Sequence, residues 1–166
     1  MKKLYNPRFI VQEMSRSDAQ LIATWKYERP YDIYNLLKGG QGLIELLSPA
    51  MMHLGEYFSV RFPDKSLVGF FRFIPDGKVI EIQLGLRPDL TGKRYGCTFV
   101  EAGLAFAKDR FKIETFRMKI PSFYLREARL CRRLGFEKSG YEVLVNKGQL
   151  DILFEMTRPV DVIRQN

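Results

Sequence analysis

The sequence predicts a single α+β domain of three layers, in which a mixed, mostly antiparallel central sheet of about seven strands carries helices on both faces. Three observations predict it. Apolar residues alternate in seven segments and recur at helical spacing in others, in the order β-α-α-β-β-β-α-β-α-β-β. Two strand-helix-strand runs call for parallel crossovers, whereas the other strands follow one another through short turns. The 166 residues, 46% hydrophobic and 28% charged, suit one domain over 1–166, which at that length buries roughly 68–70% of its unfolded surface.

Arg8 to Met14 opens as a strand. Ser15 or Ser17 caps a first helix at about 17–25, with Asp18 in its first turn and Leu21, Ile22 and Trp25 at helical spacing. Pro30 suits the first position of a second, short helix with Ile33, Leu36 and Leu37, stopped by Gly39-Gly40, and Leu43 to Leu47 adds a further turn. Strands follow at 57–62 and 67–74, joined by Pro63-Asp64-Lys65-Ser66 and closed by a turn at Pro75-Asp76-Gly77. In 78–86 Ile80, Ile82, Leu84 and Leu86 share one face and Glu81 and Gln83 the other. Tyr95, Phe99, Ala102 and Phe106 mark a helix from just after Pro88 to about Arg110. A strand at 113–120 leads, past Pro121-Ser122, to a basic helix from Leu125 to Leu134 that Gly135 ends. The last hairpin spans about 141–146 and 149–156, with Asn146-Lys147-Gly148 as its turn.

Several function classes are excluded at this level. No apolar run approaches the ~20 residues of a membrane helix, and the basic N-terminus lacks the apolar stretch of a secretory leader, so a cytoplasmic protein without membrane contact is expected. Cys97, Cys131 and the single His53 are too few for a four-ligand zinc site, and no metal is expected. Both thiols are read as reduced. The charge is +8, from 27 Lys and Arg against 19 Asp and Glu. Residues 108–138 hold ten basic and four acidic side chains, so six of the eight excess charges lie there. Such a segment faces an anion or simply solvent.

The chemistry concentrates in Leu86-Arg87-Pro88-Asp89-Leu90-Thr91-Gly92-Lys93-Arg94-Tyr95-Gly96. A strand ends, a loop with two glycines follows and a helix begins, which aims backbone N–H groups at an anion. Lys93 and Arg94, read in the first helical turn, stand at the positive end of the macrodipole, at about 0.3–1 kcal/mol each. A bound phosphate offsets that cost by taking the amides and both cations together.

Leu86-x-Pro88-Asp89-Leu90-x-Gly92-Lys93-x-x-Gly96 resembles the acetyl-CoA-binding motif of the GNAT N-acetyltransferases. Ile120-x-x-x-Tyr124-x-Arg126-x-Ala128-x-Leu130-Cys131-x-x-Leu134-Gly135-Phe136 resembles the strand and helix that follow it in that family, and the element order over about 8–157 agrees. The resemblance implies that Leu84, Gly85, Leu86, Thr91, Gly92, Lys93, Arg94, Tyr95, Gly96, Tyr124 and Arg126 bind acetyl-CoA. It further implies direct attack of an acceptor amine on the thioester, with no covalent enzyme intermediate. Two departures stand out. The loop reads Thr91, Arg94 and Gly96 where kin carry Arg or Gln, glycine, and glycine or alanine, so Arg94 is expected in an unstrained conformation where kin keep glycine. Tyr124 replaces a common asparagine, and Cys131 replaces a tyrosine that protonates the leaving thiolate. Cys131 is then the candidate acid.

An alkylammonium of pKa near ~10.4 must lose a proton before it attacks, and a carboxylate assists directly or through water. Glu81 is the candidate base, with Gln83 beside it as a positioning group. Gly85 marks a bulge or close approach at the strand where kin splay to receive pantetheine. The segment from Trp25 to Tyr34 gathers four aromatic rings and two carboxylates, and Trp25, Tyr27, Glu28, Tyr31 and Tyr34 are the candidate amine pocket. Trp25 reads equally as core with the tyrosines covering it. The function expected is acetyl transfer from acetyl-CoA to a primary amine, whether a protein N-terminus, a lysine or a small molecule. The alternatives are a basic nucleic-acid- or ribosome-associated module, which rests on charge alone, and an acyl-CoA-binding relative with weakened catalysis. Oligomeric state stays open, a homodimer included.

Overall fold

In the computed structural model the described residues are 8–29, 56–146 and 148–161. Among them run β1 (Ile10–Glu13), α1 (Arg16–Ala23), β2 (Tyr57–Arg61), β3 (Leu67–Asp76), β4 (Val79–Leu86), a 3-10 turn (Pro88–Leu90), α2 (Gly96–Arg110), β5 (Thr115–Pro121), α3 (Leu125–Arg133), β6 (Glu137–Asn146) and β7 (Gln149–Pro159). The strands form one seven-stranded sheet in the order β1-β2-β3-β4-β5-β7-β6. β4 and β5 pair parallel, while β1 with β2, β2 with β3, β5 with β7 and β6 with β7 pair antiparallel. The expected mixed, mostly antiparallel sheet is borne out. The expected helices at Pro30 and Leu43 lie outside the described residues.

The chain clusters into two compact units, Met1–Arg72 with Leu84–Gly103, and Phe73–Gln83 with Leu104–Asn166. In the first, Ser15 caps α1 by accepting from the Asp18 N–H, and Ala19 and Ile22 are buried with Met14, Tyr57 and Leu67. Asp18 itself is buried. It accepts from Ser59 Oγ at 2.7 Å and pairs with Arg61, so its charge is matched where water is excluded. Phe71 and Phe99 stack at 4.7 Å, and a Cβ on Gly103 would stand 2.6 Å from the Phe71 ring, so that glycine lets α2 close onto β3.

In the second unit, Phe73 meets Phe106 at 5.8 Å and Phe111 at 5.7 Å. Ile80, Ile82, Phe116, Met118, Ile120, Leu134, Phe136 and Met156 are buried. α3 ends as a Schellman motif. Gly135 at φ +86 lets the Phe136 N–H reach Cys131 C=O at 2.9 Å and its own N–H reach Arg132 C=O at 3.0 Å, which folds Phe136 back into the core. One turn differs from expectation. Pro75 and Asp76 stay in β3, and Gly77 at φ +58 makes the turn with Lys78.

Candidate active site

The crossover after β4 is built from a chain of local contacts. The Arg87 N–H donates to Val68 C=O at 2.8 Å, and its guanidinium donates to Leu67 C=O at 2.9 Å. That guanidinium also grips Asp89 through two bonds, at 2.6 and 3.0 Å. The hydrogen bond from Arg87 is the main reason the Asp89 carboxyl titrates below its usual range. Pro88 starts the 3-10 turn, whose bonds run from Leu90 N–H to Arg87 C=O and from Thr91 N–H to Pro88 C=O. The Thr91 hydroxyl also donates to Pro88 C=O, at 2.6 Å. The turn is therefore closed up to Thr91.

Beyond it the backbone opens. Gly92 has φ +73 and Arg94 φ +67, and α2 begins only at Gly96, with Phe99 N–H to Tyr95 C=O as the bond that enters it. Among the described residues nothing accepts from the amides of Gly92, Lys93, Arg94, Tyr95 or Gly96. Two expectations are corrected here. Lys93 and Arg94 precede the helix instead of standing in its first turn. Arg94 is not unstrained: it holds a left-handed conformation, at about 1–2 kcal/mol. Exposed Lys93 and Arg94 flank these amides, and the first turn of α2 carries no acidic residue. Tyr95 is turned inward, its ring 5.8 Å from Phe62 and 6.5 Å from Phe9. Phe9 in turn stacks on Phe62 and meets Phe99 edge-on. That aromatic cluster seats the helix start, so the amides are preorganised.

Gly85 is confirmed as a close approach, since a Cβ there would lie 2.3 Å from the Phe70 ring. Gly69 takes the Phe99 ring in the same way, at 2.5 Å. Leu84, Gly85 and Leu86 are half-buried. The β4–β5 ladder covers Val79↔Thr115, Ile80↔Phe116 and Glu81↔Arg117, then stops, although β4 runs on to Leu86 and β5 to Pro121.

Glu81 is 7% exposed, whereas Gln83, two residues on along the same face of β4, is exposed. Its Oε2 takes Arg117 at 3.2 Å and Lys119 at 3.4 Å, while Oε1 has one long contact, from Gln83 Nε2 at 3.4 Å. Arg117 also reaches Asp76 at 3.1 Å, and Lys119 reaches Glu142 at 2.8 Å. Burial works against the Arg117 charge, but the Asp76 and Glu81 carboxylates outweigh it and its pKa rises. Lys119 is raised chiefly by its bond to Glu142. Oε1 is therefore the oxygen of Glu81 available to a water or an ammonium. Sequence reasoning missed both cations; the signal was the alternation of Arg117 and Lys119 with buried Phe116, Met118 and Ile120.

Of the expected amine pocket, Tyr27 is buried, and its hydroxyl donates to Leu86 C=O at 2.7 Å. Burial pushes its phenol above the usual range. It pins its segment to the end of β4. Trp25 packs on the core cluster of α1, and Glu28 is exposed. Tyr31 and Tyr34, like His53, lie outside the described residues. On α3, Tyr124 occupies the N-cap position, Arg126 is exposed and Cys131 is 1% exposed. Among the described residues no three His, Cys, Asp or Glu side chains gather into a metal-binding group, and no helix is long and apolar enough to cross a membrane.

The chain is similar to spermidine N-acetyltransferase from Vibrio cholerae solved in complex with CoA and spermine, at 17% identity over 91% of this chain and 95% of that one, with a TM-score of 0.72. It is also similar to the dodecameric structure of spermidine N-acetyltransferase from Vibrio cholerae in an intermediate state, at 18% identity over 92% and 94%, with a TM-score of 0.68. No protein-family model and no curated protein matches the sequence. The chain has the GNAT acyl-CoA N-acyltransferase fold.

Proposed function

We propose that the chain is an acetyl-CoA-dependent N-acetyltransferase, one catalytic domain working in the cytoplasm, that acetylates a primary amine by direct attack in a ternary complex. The observation that carries this reading is the Gly92–Gly96 loop, with its open amides, two left-handed residues and two flanking cations. Those amides, with Lys93 and Arg94, take the diphosphate of the donor. Thr91, Tyr95 and Gly96 set the loop, and Leu84, Gly85 and Leu86 take the pantetheine arm. Tyr124 and Arg126 are assigned to the donor by the family resemblance. Glu81, through Oε1 and a water positioned with Gln83, accepts the proton of the acceptor ammonium. Trp25, Tyr27 and Glu28 are assigned to the acceptor side, and polyamines head the acceptor classes because the similar structure from Vibrio cholerae was solved with spermine.

The burial of Cys131 favours a second reading, an acyl-CoA-binding relative with weakened catalysis. Thiol release from acetyl-CoA with spermidine, a lysine peptide and a free N-terminal peptide separates the two. Amine-dependent release with acetylated product supports the enzyme, while binding without release supports the second reading.

We also propose self-association through β6 and β7. β6 is the sheet's edge strand, and Tyr141, Val145 and Leu150 are 69%, 73% and 68% exposed. That a similar structure is dodecameric supports self-association as such. Sedimentation of Val145→Lys with Leu150→Glu is expected to give monomers; an unaltered mass refutes the surface.

A further inference from the structure

Arg87, between β4 and the 3-10 turn, is tied down more heavily than its place in the chain requires. Its N–H already fastens the backbone to Val68 C=O at 2.8 Å, a bond open to any residue but proline. Its guanidinium then spans from Leu67 C=O at 2.9 Å to both oxygens of Asp89, at 2.6 and 3.0 Å. The two side chains are 30% and 58% exposed, and a pair so wetted adds little to stability. Its position says more. Asp89 precedes Gly92 by three residues, which limits their Cα–Cα distance to about 11 Å. The bond from Arg87 does most to lower the Asp89 carboxyl, and Lys93 is near enough to add to it. A carboxylate thus stands beside the loop of open amides, where its charge opposes an anion. Arg87, Asp89 and that loop all belong to the first compact unit.

Resting on the reading of Gly92–Gly96 as the grip on the donor diphosphate, we infer that Arg87 is a positioning residue for acetyl-CoA. It holds and neutralises the Asp89 carboxylate at the edge of the loop, so that Lys93 and Arg94 act on the phosphates without an opposing charge beside them. The pair has no net charge, and at a distance its two fields nearly cancel. Loss of either member uncovers a unit charge. In water, about 10 Å from the two charges of a diphosphate, that charge changes affinity about fourfold at low ionic strength. The effect fades once the Debye length falls to about 3 Å, at about 1 M salt. Sign separates the two members: an uncovered Asp89 repels the donor, and an uncovered Arg87 attracts it. A purely structural pair behaves otherwise, because losing either end loosens the turn and weakens binding.

The test titrates acetyl-CoA by calorimetry into wild type, Arg87→Met, Asp89→Asn and the double variant, at about 0.01 M and about 1 M salt. At low salt Arg87→Met is expected to raise Kd about fourfold, Asp89→Asn to lower it about fourfold, and the double variant to stay within about twofold of wild type. At the higher salt all converge. An Asp89→Asn protein that binds more weakly or no differently, a double variant as weak as Arg87→Met, or differences that survive the higher salt overturn the inference and leave the donor site standing. Should Arg87→Met fail to fold, the sign of the Asp89→Asn change decides alone. A wild type that gives no heat with acetyl-CoA overturns the reading of the loop and the inference with it.

Discussion

Glu127→Gln, on α3, makes a prediction about stability. Burial raises the Glu127 carboxyl from 4.5 to about 7 in the folded chain. Between those values the folded state holds a proton that the unfolded state has released, so stability falls as pH rises through the window and the full cost is present above pH 7. At ~1.36 kcal/mol per pKa unit the cost amounts to about 3 kcal/mol, a large share of a domain's net stability. Glutamine removes the charge but not the shape, and any cost of its buried amide is the same at every pH. The stability of Glu127→Gln relative to wild type should therefore improve by about 3 kcal/mol between pH 4 and pH 8. Urea unfolding of both proteins at the two pH values measures it, and other titrating groups cancel in the difference. Equal differences at pH 4 and pH 8 would refute the reasoning.

Three further outcomes are expected. Gly85→Ala, whose methyl would meet the Phe70 ring at 2.3 Å, should cost about 1–3 kcal/mol in urea unfolding; an unchanged midpoint contradicts the close approach. Arg94→Gly should relieve left-handed strain of about 1–2 kcal/mol, offset in part by the added freedom of the unfolded chain, while weakening CoA binding through the lost cation; tighter binding would contradict the role given to Arg94. Arg117→Met leaves buried Glu81 with Lys119 as its cation and should destabilise by about 3–5 kcal/mol, a loss that lessens in the Glu81→Gln, Arg117→Met double variant; equal losses contradict the ion-pair account.

Much of the fold was legible because period and punctuation agreed. The alternation of 78–86 became β4, and the Leu134-Gly135-Phe136 ending became a Schellman cap whose glycine alone tolerates φ +86. The turn at Pro75-Asp76-Gly77 was misplaced because Gly77 and Lys78 suffice to turn the chain, and a proline near the end of a strand forfeits little pairing. At the site, Gly85 and the open loop at Gly92–Gly96 were readable from glycine spacing. The conformation of Arg94 was not, since side-chain identity argued against a left-handed backbone that the seated helix start imposes. The pairing of Glu81 was hidden because strand register, absent from local pattern, brings Arg117 alongside. Glu127 was not singled out in the sequence, since only the placement of α3 separates it from the exposed arginines around it.

The central claim, that Gly92–Gly96 grips the diphosphate of an acyl-CoA, is tested most directly by titrating acetyl-CoA into the wild type and into Gly92→Asp in a calorimeter. The account predicts saturable one-to-one binding to the wild type and at least tenfold weaker binding to the variant, about 1.4 kcal/mol, because a carboxylate then faces the phosphates. Equal affinity in the two proteins, or no heat from either, would contradict it.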